Sequence, residues 1–180
     1  PLRAEAKDAI RALHACGISK VVMMTGDNRR TAASVAEEVG VDEFYAEVLP
    51  EDKAAFIRRE KAAGRTVIMI GDGVNDSPAL SEADAGVAIS TGAAIAREIA
   101  DITIASEDLF ELVTLRRIAE ALMGRIHRNY RFIVGFNLSL IVFGVAGLLP
   151  PTTSALLHNA STLAISLKSM TNLLPDKKKD

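Results

Sequence analysis

Short apolar runs, each too brief for a helix and each closed by a glycine or a polar turn, alternate with helical patterns at intervals of roughly 25 residues. No other feature of the chain limits its fold as much. The runs at 21–24, 67–70, 85–89 and 102–104 read as strands, with a further short strand at 44–46. Helical segments at 2–15, 29–39, 50–63 and 93–100 lie before and between them, and Gly17, Gly40 and Gly64 supply stops. This alternation predicts an α/β fold with a doubly wound parallel sheet, in which ligands bind beyond the carboxyl ends of the strands.

The run at 67–70 leads into the densest chemistry, Gly71-Asp72-Gly73-Val74-Asn75-Asp76-Ser77-Pro78. Asp72 falls at the carboxyl end of a strand, Gly73 lets backbone approach a bound group, and Pro78 suits the first turn of a following helix. Asp72 and Asp76 can hold a hard cation such as Mg²⁺ through oxygen, and Asn75 can donate to a phosphoryl oxygen. The plainer alternative is an Asx-rich turn after a core strand.

Two other segments invite an anion. Thr25-Gly26-Asp27 ends the strand at 21–24 just before a helix, so that a hydroxyl, backbone amides and a helix dipole converge. An ordinary N-cap by Asp27 or Asn28 accounts for the same residues. Lys53, in Pro50-Glu51-Asp52-Lys53, is a cation in the first turn of a helix. The dipole disfavours it there unless something anionic compensates, and a phosphoryl group is the expected partner. Thr91-Gly92 is another strand-end turn, equally readable as a plain loop. Cys16, the one cysteine, excludes an internal disulfide and reads as a small buried residue.

Composition matters through its asymmetry. The net charge of −2 gives no general attraction to nucleic acid. Acid outnumbers base up to residue 124, whereas 125–180 carries seven Lys and Arg against two acids. A helical stripe of Leu109, Leu112, Val113, Leu115, Ile118, Leu122 and Met123 precedes a basic collar of Arg125, His127, Arg128 and Arg131. Residues 132–149 then hold no charge, and a second apolar run occupies 154–174 beyond Pro150-Pro151. Both are long enough for membrane spans, and positive charge flanks only their outer ends. The expectation is a transmembrane hairpin in a lipid bilayer with both ends cytoplasmic. The divisions expected are 1–106, a linking amphipathic helix at 107–131, the hairpin at 132–175 and a basic cytoplasmic tail at 176–180.

The string GDGVNDSPAL, together with Thr25-Gly26-Asp27 and Lys53 in PEDK, resembles the P-type ATPases of the haloacid dehalogenase superfamily. The three segments occur in the family's order. That resemblance implies a partial haloacid dehalogenase-like fold in which Gly71, Asp72, Gly73 and Asp76 form the Mg²⁺ site. It further implies that Asn75 and Thr25 bond the phosphoryl group of ATP-derived substrate, that Lys53 neutralises it, and that Gly26 and Asp27 shape the loop. The family's nucleophile is the aspartate of Asp-Lys-Thr-Gly-Thr, which does not occur here. Its nucleotide-binding domain and earlier membrane helices are absent as well.

The chain therefore resembles a C-terminal portion, the second half of a phosphorylation domain with the last two membrane helices, partnered by the rest of the same polypeptide. Two terminal spans resemble the heavy-metal branch, which implies a multi-pass pump of the cell membrane, a cytoplasmic phosphorylation domain and export of a transition-metal ion. Phe136-Asn137 stands where copper transporters carry Tyr-Asn, and the last run lacks the aspartate of zinc transporters, so the metal stays open.

Polar residues within a span are costly and face a bundle interior or an ion path. Asn137, His158, Asn159 and Ser161 are the candidate transported-metal path, with interhelical hydrogen bonding as the alternative. Other readings of the whole chain are a soluble phosphatase of the same superfamily, or a membrane module that binds Mg²⁺ or phosphate without catalysis.

Overall fold

The computed structural model describes residues 5–72, 75–89, 98–104 and 108–174. In chain order these form α1 (Ala6–Ala15), β1 (Val22–Met24), α2 (Arg29–Val39), β2 (Glu43–Tyr45), α3 (Pro50–Ala62), β3 (Ile68–Gly71), α4 (Ser77–Glu82), β4 (Ala85–Ile89), β5 (Ile102–Ile104), α5 (Phe110–Val145) and α6 (Pro151–Ser169). They divide into two compact units, Pro1–Thr114 and Leu115–Asp180. Gly73, Thr91-Gly92 and most of the helix expected at 93–100 lie outside the described residues.

In the first unit every strand pairing is parallel, as the alternation predicts. The strands form two sheets, however: β1 with β2, and β3–β4–β5. Among the described residues β3 pairs with β4 alone, Ile68 opposite Ala85 through Gly71 opposite Ala88. Ile68 and Ile70 are consequently exposed rather than buried as the run at 67–70 suggests. A packed interior lies beside β4, where Val87 and Ala88 meet Ala79 and Leu80 of α4, all four fully buried. Gly86 is required there, because a Cβ would stand 2.7 Å from the Leu80 carbonyl oxygen.

Local signals set the helix ends. The Asn28 side chain caps α2 by accepting from Thr31 N at 3.0 Å, and Gly40 ends that helix in the left-handed region at φ 76°. Pro50 opens α3, whose Asp52 carboxylate reaches back to the Leu49 amide at 3.2 Å. Cys16, at the C-cap of α1, is half-buried and not enclosed as its residue type suggests.

The second unit is a helical hairpin. α5 runs without a break through the boundary expected at residue 131 and stops at Val145, short of the end of the uncharged run. Gly147 accounts for the stop. At φ 72° it takes the left-handed position after the helix, and Leu148 N donates to Phe143 O at 2.9 Å. The uncharged part of the helix, 132–145, is therefore about 21 Å long at 1.5 Å per residue, against a hydrocarbon thickness of about 30 Å. α6 begins at Pro151 rather than 154 and ends at Ser169 rather than 174, and hydroxyl and amide side chains dilute its apolar content. Among the described residues no helix is long and apolar enough to cross a membrane.

Candidate functional site

The carboxyl end of β3 and the first turns of α3 and α4 come together around one ion pair. The Lys53 ammonium donates to Asp76 Oδ1 at 2.6 Å, and the two side chains are only 15% and 13% exposed. The anion that the position of Lys53 demands is thus supplied by a carboxylate 23 residues further on. Asp76 is the residue before α4, whose first full turn it closes by accepting Leu80 N at 2.8 Å. Gly71 gives Asp76 its room: a Cβ at 71 would lie 2.6 Å from Asp76 Oδ2 and 2.8 Å from its Cβ. Asp72 follows at the strand end, with the Asn75 amide 3.5 Å from its Oδ1, at the outer limit of a hydrogen bond.

Thr25 and Asp27 form a closed turn of their own. Thr25 Oγ1 donates to Asp27 Oδ2 at 2.9 Å and accepts from the Asp27 amide at 3.1 Å. A second segment clips this turn, because Glu47 N donates to Asp27 O and Val48 N to Thr25 O. Glu47 holds φ 56°, unusual for a residue with a side chain, so that both amides can reach their carbonyls. Val48 precedes the N-terminal turn of α3, so the Thr25 loop is bonded to the segment that delivers Lys53. A Cβ on Gly26 would meet nothing nearer than Val48 O at 4.0 Å, so packing does not dictate glycine there.

The residues fit a Mg²⁺ ion in one respect that geometry can test. Two carboxylates stand at one strand end, and Mg²⁺ characteristically takes one or two carboxylates, completing its shell from water and substrate phosphate. No group of three His, Cys, Asp or Glu side chains converges among the described residues, so nothing here resembles an all-protein metal cage.

In the second unit, Asn137, His158 and Asn159 line a cleft of about 710 Å³ together with Leu140, Ile141 and Ser154. Asn137 Oδ1 and His158 Nδ1 are 2.8 Å apart. An amide oxygen only accepts, so Nδ1 carries the proton in this pair. Ser161 is not part of this lining; its hydroxyl donates to His158 O of its own helix at 2.8 Å. Thr162 and Ser166 likewise bond back along α6.

Sequence reasoning missed three features. Asp42, Asp84 and Asp101 each stand just before a strand and accept a backbone amide of the neighbouring strand's entry: Val21 at 2.6 Å, Val67 at 2.8 Å and Gly86 at 2.8 Å. The recurring aspartate one residue ahead of a strand is a signal that could have found them. The strained Glu47 has no such signal. Nor does the Arg125 guanidinium, which closes the end of α6 by donating to the carbonyls of Ser169, Thr171 and Asn172 at 2.6–2.9 Å.

Comparison with known proteins extends over both units. Residues 1–84 match the haloacid dehalogenase-like hydrolases. A manganese-exporting P-type ATPase of Mycobacterium tuberculosis is 41% identical over 169 residues, 93% of this chain and 24% of that protein. Copper-transporting ATPase 2 of Rhizobium meliloti is 46% identical over 157 residues, 87% of this chain and 19% of that protein. The crystal structure of a zinc-transporting PIB-type ATPase in its E2.Pi state superposes with a TM-score of 0.87 at 34% identity, covering 94% of this chain and 28% of that one. The chain thus spans about a fifth to a quarter of the length of the curated relatives it matches.

Proposed function

Since this chain carries a haloacid dehalogenase-like hydrolase domain and is homologous to the heavy-metal P-type ATPases, we propose that it serves an ATP-driven exporter of a transition-metal ion, supplying half of the phosphoryl-transfer site and a terminal membrane hairpin. The observation that carries this reading is the covered Lys53–Asp76 pair seated against a Gly71 that admits no side chain. Phosphoryl transfer asks mainly for positioning and charge neutralisation, and these residues are equipped for both.

In this reading Asp72 and Asp76 hold Mg²⁺, which when bound neutralises phosphate charge. Lys53 sits between Asp76 and the phosphoryl group and shares its charge between them. Thr25 and Asn75 donate hydrogen bonds to phosphoryl oxygens, Asp27 orders the Thr25 turn, and Gly26, Gly71 and Gly73 keep backbone close to the ligand. The attacking aspartate belongs to another segment of the same polypeptide, and the edge of β3 that pairs with no described strand can take a further strand beside Asp72. The divisions near 106, 131 and 175 follow the same plan.

The hairpin of α5 and α6 is proposed to lie in the cell membrane as part of a multi-pass bundle, with the first unit cytoplasmic. Its apolar side chains face outward, Val145 being 86% exposed, and two helices by themselves cannot cover one another's apolar surface. The shortfall in helix length is met by interfacial residues and local thinning, which cost little per ångström. Asn137, His158 and Asn159 line the candidate cargo path, with Ser161 beside it on α6. An imidazole with amide oxygens suits a borderline divalent ion better than a soft monovalent one.

The test is ATP hydrolysis by the longer protein in detergent, stimulated in turn by Zn²⁺, Cd²⁺, Co²⁺, Mn²⁺ and Cu⁺. One or more should raise turnover, and Asp72→Asn should abolish it; stimulation by none, or near-normal turnover of the variant, overturns the assignment. The 180 residues alone should hydrolyse no ATP, because they can stabilise a phosphoryl group but contain no assigned nucleophile.

A further inference from the structure

We propose that Arg128 and Arg131, assisted by Lys168, form a docking face for anionic phospholipid headgroups, while their neighbour Arg125 is occupied within the hairpin. The proposal rests on the reading that the hairpin lies in a bilayer and deepens it by naming the lipid class.

The collar residues are not equivalent. Arg125 directs its guanidinium across to α6 and spends it on the carbonyls of Ser169, Thr171 and Asn172. Asn129, one turn on, donates to Ser169 Oγ at 2.9 Å. These bonds place the end of α6, and with it Lys168, at the level of residues 125–129. With 3.6 residues per turn, Arg128 lies about 60° from both Arg125 and Arg131 on α5, and Arg131 about 120° from Arg125, so the three turn progressively off the side on which Arg125 meets α6. Both are exposed, and with Lys168 they make no ion pair among the described residues.

Compensation from the described residues of the unit is lacking. Between residues 115 and 174 the single acid is Glu120, already 3.0 Å from Arg116. Gly124 keeps the surface next to Arg128 bare, and Arg128 Nη1 lies 3.7 Å from where a Cβ at 124 would stand. The guanidinium is therefore folded back over the preceding turn, away from the uncharged residues 132–145. That is the posture of a cation reaching from an apolar stretch to a polar boundary. Tyr130, 64% exposed, and the exposed Phe132 supply the amphipathic rings that favour the same boundary. The other end of the hairpin, around Pro150-Pro151, has no charge at all.

Charge complementarity selects the occupant. Unpaired guanidinium groups at an apolar boundary match lipid phosphates, which they can bond through two parallel donors. Arg117 does not belong to the face. It stands about 16 Å along the axis from Arg128 at 1.5 Å per residue, beyond a screening length of about 8 Å.

The experiment is co-flotation of the whole chain with vesicles of phosphatidylcholine alone and of phosphatidylcholine mixed with phosphatidylglycerol. The expected result is tighter binding to the anionic vesicles, by about fivefold per arginine and so roughly 25-fold for the pair, falling as salt is added. R128Q/R131Q should lose that preference, R128K/R131K should keep it, and R125Q should keep it while losing helix content by circular dichroism. Equal binding of the unaltered chain to both vesicles, or full preference in R128Q/R131Q, overturns the proposal and leaves the bilayer reading standing. Binding to neither vesicle overturns both.

Discussion

Lys53 and Asp76 are covered enough for their pairing to matter energetically, unlike the ion pair of Arg11 with Asp8, whose side chains are both 69% exposed. Truncating Lys53 strands a largely covered carboxylate, at a cost of about 1–3 kcal/mol. Truncating Arg11 should cost no more than about 0.5 kcal/mol, as for most exposed pairs. Urea midpoints of Lys53→Ala and Arg11→Ala therefore ought to differ clearly; equal midpoints would mean that Asp76 finds solvent without penalty. The residue types at this site were readable in the sequence, and so was the need of Lys53 for an anion. The identity of its partner was not, because contact across 23 positions depends on how α3 packs on α4.

Among the elements, the aspartates ahead of β2, β4 and β5 tie each strand to its parallel neighbour where the ladder begins. Parallel pairs have no connecting hairpin to fix their register, so a side-chain bond at the entry does that work. The Val67 amide holds the Asp84 carboxyl below its ordinary value of 3.8, with the Lys61 ammonium assisting against the opposing effect of partial burial. A lowered folded value stabilises the fold above the unfolded value and loses that contribution as pH falls through the folded one. Asp84→Asn should accordingly be less stable than the unaltered chain at neutral pH, and the difference should shrink below about pH 4. Urea midpoints measured from neutrality down to acid would show this; a difference constant with pH removes the carboxylate from the role. Lys20 and Glu43, 2.7 Å apart, shift in the complementary senses, the lysine upward and the glutamate downward, each through its bond to the other.

At the scale of the molecule, the two units differ in how they satisfy their apolar residues. The first encloses a small-residue interior of alanines with Ile57, Leu80, Val87, Leu112 and Val113, whereas Leu140 is the buried apolar residue of the second among the described residues. The chain should therefore associate in plain buffer and disperse in mild detergent, as light scattering after size exclusion would report. A monodisperse monomer without detergent would favour the soluble phosphatase over the pump. The order of the described strands, their parallel pairing and the placement of Asp72 at a strand end were fixed locally, by short apolar runs and the turns that close them, and the sequence sufficed. Tertiary structure alone decided that the strands form two sheets with β3 exposed at an edge, that Lys53 meets Asp76, and that Arg125 closes α6 while Arg128 does not. Each of these depends on which surfaces meet across long stretches of chain, and hydropathy and turn chemistry within a window of neighbours hold no record of that.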